Sequence, residues 1–104
     1  MALPVEPDQP YKKGDFVVAR YDSKWYIGKI LELDPEDGDA HIRFFTKRDK
    51  TRSFKWPSKP DELWIEYPDI LMKIDAPMQK GKNRAVYIIP DALYDVIEGQ
   101  FSSV

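Results

Sequence analysis

The sequence predicts an all-β fold: a small barrel or sandwich of about five strands, extended by a C-terminal strand and a short helix. Two observations carry this. Short apolar, β-branched and aromatic runs recur about every 8 to 12 residues, with Asp, Gly, Pro and Ser chemistry in the breaks. The 42% hydrophobic content includes 13% aromatic residues, so the core leans on rings. A chain of 104 residues fits one domain with one small core.

The elements follow in order. Residues 1–12 read as a flexible Pro-rich leader, which lacks the basic start and apolar centre of a signal peptide. Gly14-Asp15 signals a turn. A first strand follows over Phe16–Tyr21, with Val17, Ala19 and Tyr21 alternating against Phe16, Val18 and Arg20. Asp22-Ser23-Lys24 is a hairpin-like break. A second strand covers Trp25–Leu33, with Tyr26, Gly28 and Ile30 on one face; the interior Gly28 marks a bend or a close backbone approach. Asp34–Asp39 is a turn rich in Asp, Gly and Pro. Ala40–Thr46 alternates as a third strand, Lys47–Ser53 is a charged loop, and Phe54–Trp56 is a short strand ended by Pro57. Leu63–Tyr67 is a further strand. Asp69–Ile74 closes the unit as a 3₁₀ turn or last strand. Residues 13–75 thus form an SH3-like barrel, and 76–104 an extension packed on it. In that extension, 76–84 is a polar linker, Ala85–Ile89 a strand, and Ala92–Gly99 a helix whose stripe is Leu93, Val96 and Ile97, stopped by Gly99.

The net charge of −2 conceals segregation. Residues 41–59 carry seven bases, Arg43, Lys47, Arg48, Lys50, Arg52, Lys55 and Lys59, against Asp49 alone. Residues 60–75 carry Asp61, Glu62, Glu66, Asp69 and Asp75 against Lys73. The chain has no cysteine, which excludes disulfide, iron–sulfur and thiolate zinc frameworks. No window reaches the ~20 apolar residues of a membrane span. An intracellular protein is the expectation, with no cofactor, no metal and no small-molecule substrate.

The pattern Gly14-Asp-x-Val17-x-Ala19-x-Tyr21, Trp25-Tyr26-x-Gly28-x-Ile30, Ile42-x-Phe44 resembles the Tudor and chromo-barrel group of chromatin reader domains over about Lys13–Ile74. The resemblance implies an SH3-like barrel with an aromatic cage at one end, formed by Tyr21, Tyr26 and Phe44. The usual fourth aromatic falls on Lys47, and the Asp-Tyr-Gly-Asn signature stands here as Thr46-Lys47-Arg48-Asp49. The missing wall then falls to Phe45, Phe54 or Trp56. Phe54-Lys-Trp-Pro57 and Asp69–Ile74 are also similar to barrel segments of transposon-derived proteins, which implies no function.

Such a cage binds a methylated lysine or arginine, expected on a histone tail, so the resemblance implies a nuclear protein. A methylated ammonium keeps its charge but loses donors, and ring faces attract it, by about 2 kcal/mol or more when desolvated. Asp22, beside Tyr21, is the expected carboxylate. Plain packing of Tyr21, Tyr26 and Phe44 in a ring-rich core is the competing reading.

Two other functions are open. Arg43, Lys47, Arg48, Lys50, Arg52 and Lys55, interleaved with Phe44, Phe45, Phe54 and Trp56, have the composition of a nucleic-acid surface, where bases hold phosphates and rings stack. The sequence pI near 5.4 argues against it. Alternatively, Ala85–Ile89 adds to a sheet edge, either in this chain as an extra strand on the barrel or in a partner, which would make an adaptor without methyl-lysine recognition. An enzyme is not expected. His41 is the one histidine, no nucleophile–base set is evident, and Asp34, Glu36, Asp37 and Asp39 lack calcium-loop spacing.

Overall fold

The computed structural model describes residues 11–48 and 51–102. The expected leader therefore falls mostly outside the described residues. Its last part does not: Tyr11 packs edge-on against Tyr67, ring centroids 5.8 Å apart.

The fold is mostly β, two antiparallel sheets and one helix. The first sheet joins β1 (Phe16–Tyr21), β2 (Lys24–Asp34), β3 (Asp39–Phe44), β6 (Glu62–Glu66) and β7 (Ile70–Ile74) in the order β6-β3-β2-β1-β7. A 3₁₀ turn, Tyr67–Asp69, links the two edge strands; of the segment expected as a 3₁₀ turn or last strand, Ile70–Ile74 is strand and only Asp69 belongs to the turn. Among the described residues no pairing of β6 with β7 closes this sheet. The second sheet has the order β4-β5-β9-β8, from β4 (Thr46–Lys47), β5 (Ser53–Lys55), β8 (Met78–Lys80) and β9 (Asn83–Ile88). It takes two strands from within residues 13–75 and two from 76–104. The expected polar linker contains β8 and the start of β9.

Local chemistry explains the hairpins. Tyr21 pairs with Lys24, leaving Asp22 and Ser23 as a two-residue turn with φ of +53° and +64°. Positive φ at both positions matches the right-handed twist of the flanking strands. Register shifts at Val18/Ala19 and Ile30/Glu32 are bulges, which bend strands and increase their twist. Gly28 sits where β2 passes closest to β3. An added Cβ would strike Ile42 Cγ2 and lie 2.8 Å from the Arg43 carbonyl oxygen.

Both faces of the first sheet are covered. One carries Val17, Ala19, Ile30, Ala40, Ile42 and Phe44, joined by Ile65 of β6 and Ile70 of β7. The other carries Val18, Trp25 and Ile27, packed on Phe45, Phe54, Ile74, Ile89 and Ile97. The helix α1 (Asp91–Ser102) seals this second cluster. It runs past Gly99 because Phe101, one turn beyond Ile97, also packs there. Val96 of the expected stripe is exposed; Tyr94 and Phe101 take its place on the inward face. On a 3.6-residue helix, positions 93, 97 and 101 align while 96 lies to one side.

Candidate functional site

Alternation along the strands decides where each ring goes. Phe44 ends β3 and Phe45 follows it, and the two rings turn to opposite faces of the first sheet. Phe44 enters the first cluster with Tyr26, centroids 5.8 Å apart and planes at 63°. Phe45 enters the second, donating its N–H to the Ile27 carbonyl at 2.9 Å and stacking on Trp56 at 3.8 Å.

A small cavity of about 90 Å³ is lined by Tyr21, Tyr26, Phe44, Asp61 and Leu63. Phe44 is its floor, at 2% exposure, and Tyr21 its outer wall, at 48%. Three of the expected cage residues therefore meet at one opening. Phe45 and Trp56 do not; their ring stack lies in or against the second core cluster, with the Arg43 guanidinium 4.6 Å above Trp56. Phe54 is buried there too. The fourth side is Leu63, not a ring.

The carboxylate at the cavity is Asp61, which sequence reasoning missed. Its carbonyl accepts the Phe44 N–H at 2.8 Å, fixing the segment before β6 against the end of β3. Its side chain makes no ion pair or hydrogen bond among the described residues. The signal available was the acidic run that opens at Asp61, but its pairing with Phe44 is long-range. Asp22 lies instead beyond Tyr21, in a separate cleft of about 520 Å³ lined by Arg20, Tyr21, Asp22, Ser23, Trp64, Glu66 and Asp69, among others. The tight turn carries Asp22 past the strand end. On the other side, Tyr26 and Asp61 also border a cleft of about 550 Å³ that reaches Lys24, Lys47, Glu98 and Phe101.

Two residues of the basic segment, Arg52 and Lys47, face the helix. Arg52 Nη2 lies 2.8 Å from Asp95 Oδ1 and Nη1 3.7 Å from Asp91, with the guanidinium over the Tyr94 ring. Lys47 Nζ sits 4.0 Å above Trp25 and 3.8 Å from Glu98. Trp25 donates Nε1–H to that same Glu98 at 3.1 Å and meets Tyr94 edge-on, so it packs on the C-terminal helix. Arg48 donates to Ser53 Oγ at 3.3 Å. Lys55 is exposed on β5, and Lys50 lies outside the described residues.

His41 stacks on Trp64, centroids 5.0 Å apart, with Nε2 3.3 Å from Glu62. Among the described residues no group of His, Asp or Glu side chains has metal-site geometry, and no helix is long and apolar enough to cross a membrane. Tyr11 carries a phenol pushed above its ordinary value by burial and, secondarily, by Tyr67. Comparison with family models, with curated proteins and with solved structures finds no match to this chain.

Proposed function

We propose that the domain recognises a methylated lysine or arginine side chain of a protein tail, held in the cavity between Tyr21, Tyr26 and Phe44. The observation that carries this reading is the meeting of rings from β1, β2 and β3 at one open cavity that Asp61, without a side-chain partner among the described residues, also lines. Two rings at a steep angle present faces and edges to one cation, and Asp61 offers charge and a hydrogen-bond acceptor. The volume of about 90 Å³ lies far below the roughly 300–1,000 Å³ of a site for a drug-sized ligand and suits a small cationic head group. An acceptor at the rim favours mono- and dimethyl forms, which keep an N–H to donate to Asp61.

The first sheet is read, with this function, as an SH3-like barrel. In support, its order runs β6-β3-β2-β1-β7 with a 3₁₀ turn between the edge strands. Residues of both edges, Ile65 and Ile70, also share one cluster with the centre. The nucleic-acid reading has less support. Phe45 and Phe54 are buried rather than free to stack on bases, and Arg52 and Lys47 are held by α1 acids.

Calorimetric titration of the full chain with matched histone-tail peptides, unmodified and mono-, di- or trimethylated, tests the proposal. Wild type is expected to prefer the mono- or dimethyl peptide. Tyr26→Ala and the less buried Tyr21→Ala should each lose roughly tenfold or more in affinity. Equal binding of methylated and unmodified peptides by the wild type overturns it.

A further inference from the structure

The cleft beyond Tyr21 has its own chemistry. It lies between the β1–β2 turn, β6 and the 3₁₀ turn. Four large apolar side chains are markedly exposed among the described residues, and two of them, Tyr21 and Trp64, border this one cleft, each 48% exposed. Trp64 has one ring face covered by His41, in a near-parallel stack at 13°. Three carboxylates line the cleft, Asp22, Glu66 and Asp69, against the single guanidinium of Arg20. Arg20 is already engaged, its Nη2 3.1 Å from Asp69 Oδ1. Asp22 and Glu66 make no ion pair or side-chain hydrogen bond among the described residues. The cleft is thus aromatic-walled with two uncompensated negative charges.

The position matters as much as the charge. Tyr21 borders both this cleft and the 90 Å³ cavity, so the two are separated by one ring. We infer that the cleft is a second cation subsite, which takes an unmodified arginine side chain of the same peptide whose methylated residue fills the cavity. The inference rests on the methyl-cation reading of that cavity. Charge complementarity commits the occupant. The planar guanidinium stacks on an exposed ring and donates to carboxylates at its edge, both of which the cleft supplies. A lysine ammonium gains the charge but not the planar stacking. The domain then reads a methylated residue with an arginine close by in sequence, and Tyr21 sits between the two side chains as a shared wall.

Fluorescence anisotropy of the full chain separates the two readings. The probes are four tail peptides: methylated or unmodified at one lysine, each with arginine or its neutral isostere citrulline at a neighbouring position, scanned over offsets of one to three residues. At one offset, wild type is expected to bind the arginine peptide about tenfold more tightly than the citrulline peptide. That preference should weaken as salt is raised, because the charges are exposed. In D22N/E66Q, whose side chains keep their shape, and in Trp64→Ala, the arginine preference is expected to vanish while methyl discrimination remains. Methyl discrimination with no arginine preference at any offset overturns the subsite and leaves the cavity reading intact. Arginine preference without methyl discrimination supports the cleft as a cation site and overturns the cavity reading. An arginine preference that survives unchanged in D22N/E66Q and in Trp64→Ala also overturns the assignment.

Discussion

Gly28→Ala should destabilise the fold and disturb the cavity floor together. The new Cβ strikes Ile42 Cγ2 and lies 2.8 Å from the Arg43 carbonyl oxygen and 3.0 Å from Phe44 Cδ1. None of these can move away cheaply. The Arg43 carbonyl belongs to the backbone of an interior strand, the Phe44 ring is buried and its residue pairs directly opposite Gly28, and Ile42 is fully buried. Overpacking of this kind costs about 1–3 kcal/mol. Unfolding entropy near 2.1 cal/mol/K per residue gives about 0.22 kcal/mol/K for 104 residues, so Tm should fall by roughly 5–14 °C. Thermal scans by far-UV circular dichroism measure the fall. Ring chemical shifts of Tyr26 and Phe44 report the displaced floor, and methyl-peptide affinity should drop with them. A Tm within about 1 °C of wild type, with unchanged ring shifts, refutes the close-approach argument.

Three other predictions concern the turn, the helix contact and the N-terminal ring pair. Ser23→Gly relieves a left-handed backbone at φ +64° and should raise stability by about 0.5–1 kcal/mol, read as a higher denaturant midpoint at unchanged slope. Trp25→Phe removes the N–H to Glu98 and weakens the ring contacts to Lys47 and Tyr94; a loss of about 1–2 kcal/mol is expected in urea unfolding. The Tyr11 phenol is raised above 10.0 in the folded state, so the fold favours its neutral form. That contribution is complete below the ordinary value and is lost as pH rises through the folded value. Alkaline Tm profiles should therefore fall less steeply for Tyr11→Phe than for wild type.

Much of the secondary structure was legible. Period-two alternation placed β1 with its residues on the correct faces, because one face of each central strand is lined by residues that must meet the same core. The Asp-Ser break, the Asp34–Asp39 turn and the Gly28 approach were readable from local chemistry. Tyr21, Tyr26 and Phe44 were named as a group through the resemblance to Tudor and chromo-barrel domains, and they do line one cavity. The acid and the remaining wall were not legible. Phe45 and Trp56 needed the strand parity at residue 44, one residue of which sends a ring to the opposite cluster. Asp61 reaches the cavity through a backbone hydrogen bond between residues 17 positions apart in sequence. The end of α1 escaped local rules because burial of Phe101 outweighs the small helix cost of Gly99.

What the chain determines by itself is local: which segments are strands, where they turn, and which side chains share a face, since backbone sterics and two-residue periodicity act over a few residues. Tertiary structure alone decided that β9 joins β5 rather than the first sheet. It also turned Lys47 and Arg52 toward the acids of α1, and set Asp61 rather than Asp22 at the cavity where the three rings meet. Those outcomes depend on contacts between distant segments, where packing and charge pairing choose among partners that local sequence leaves equivalent.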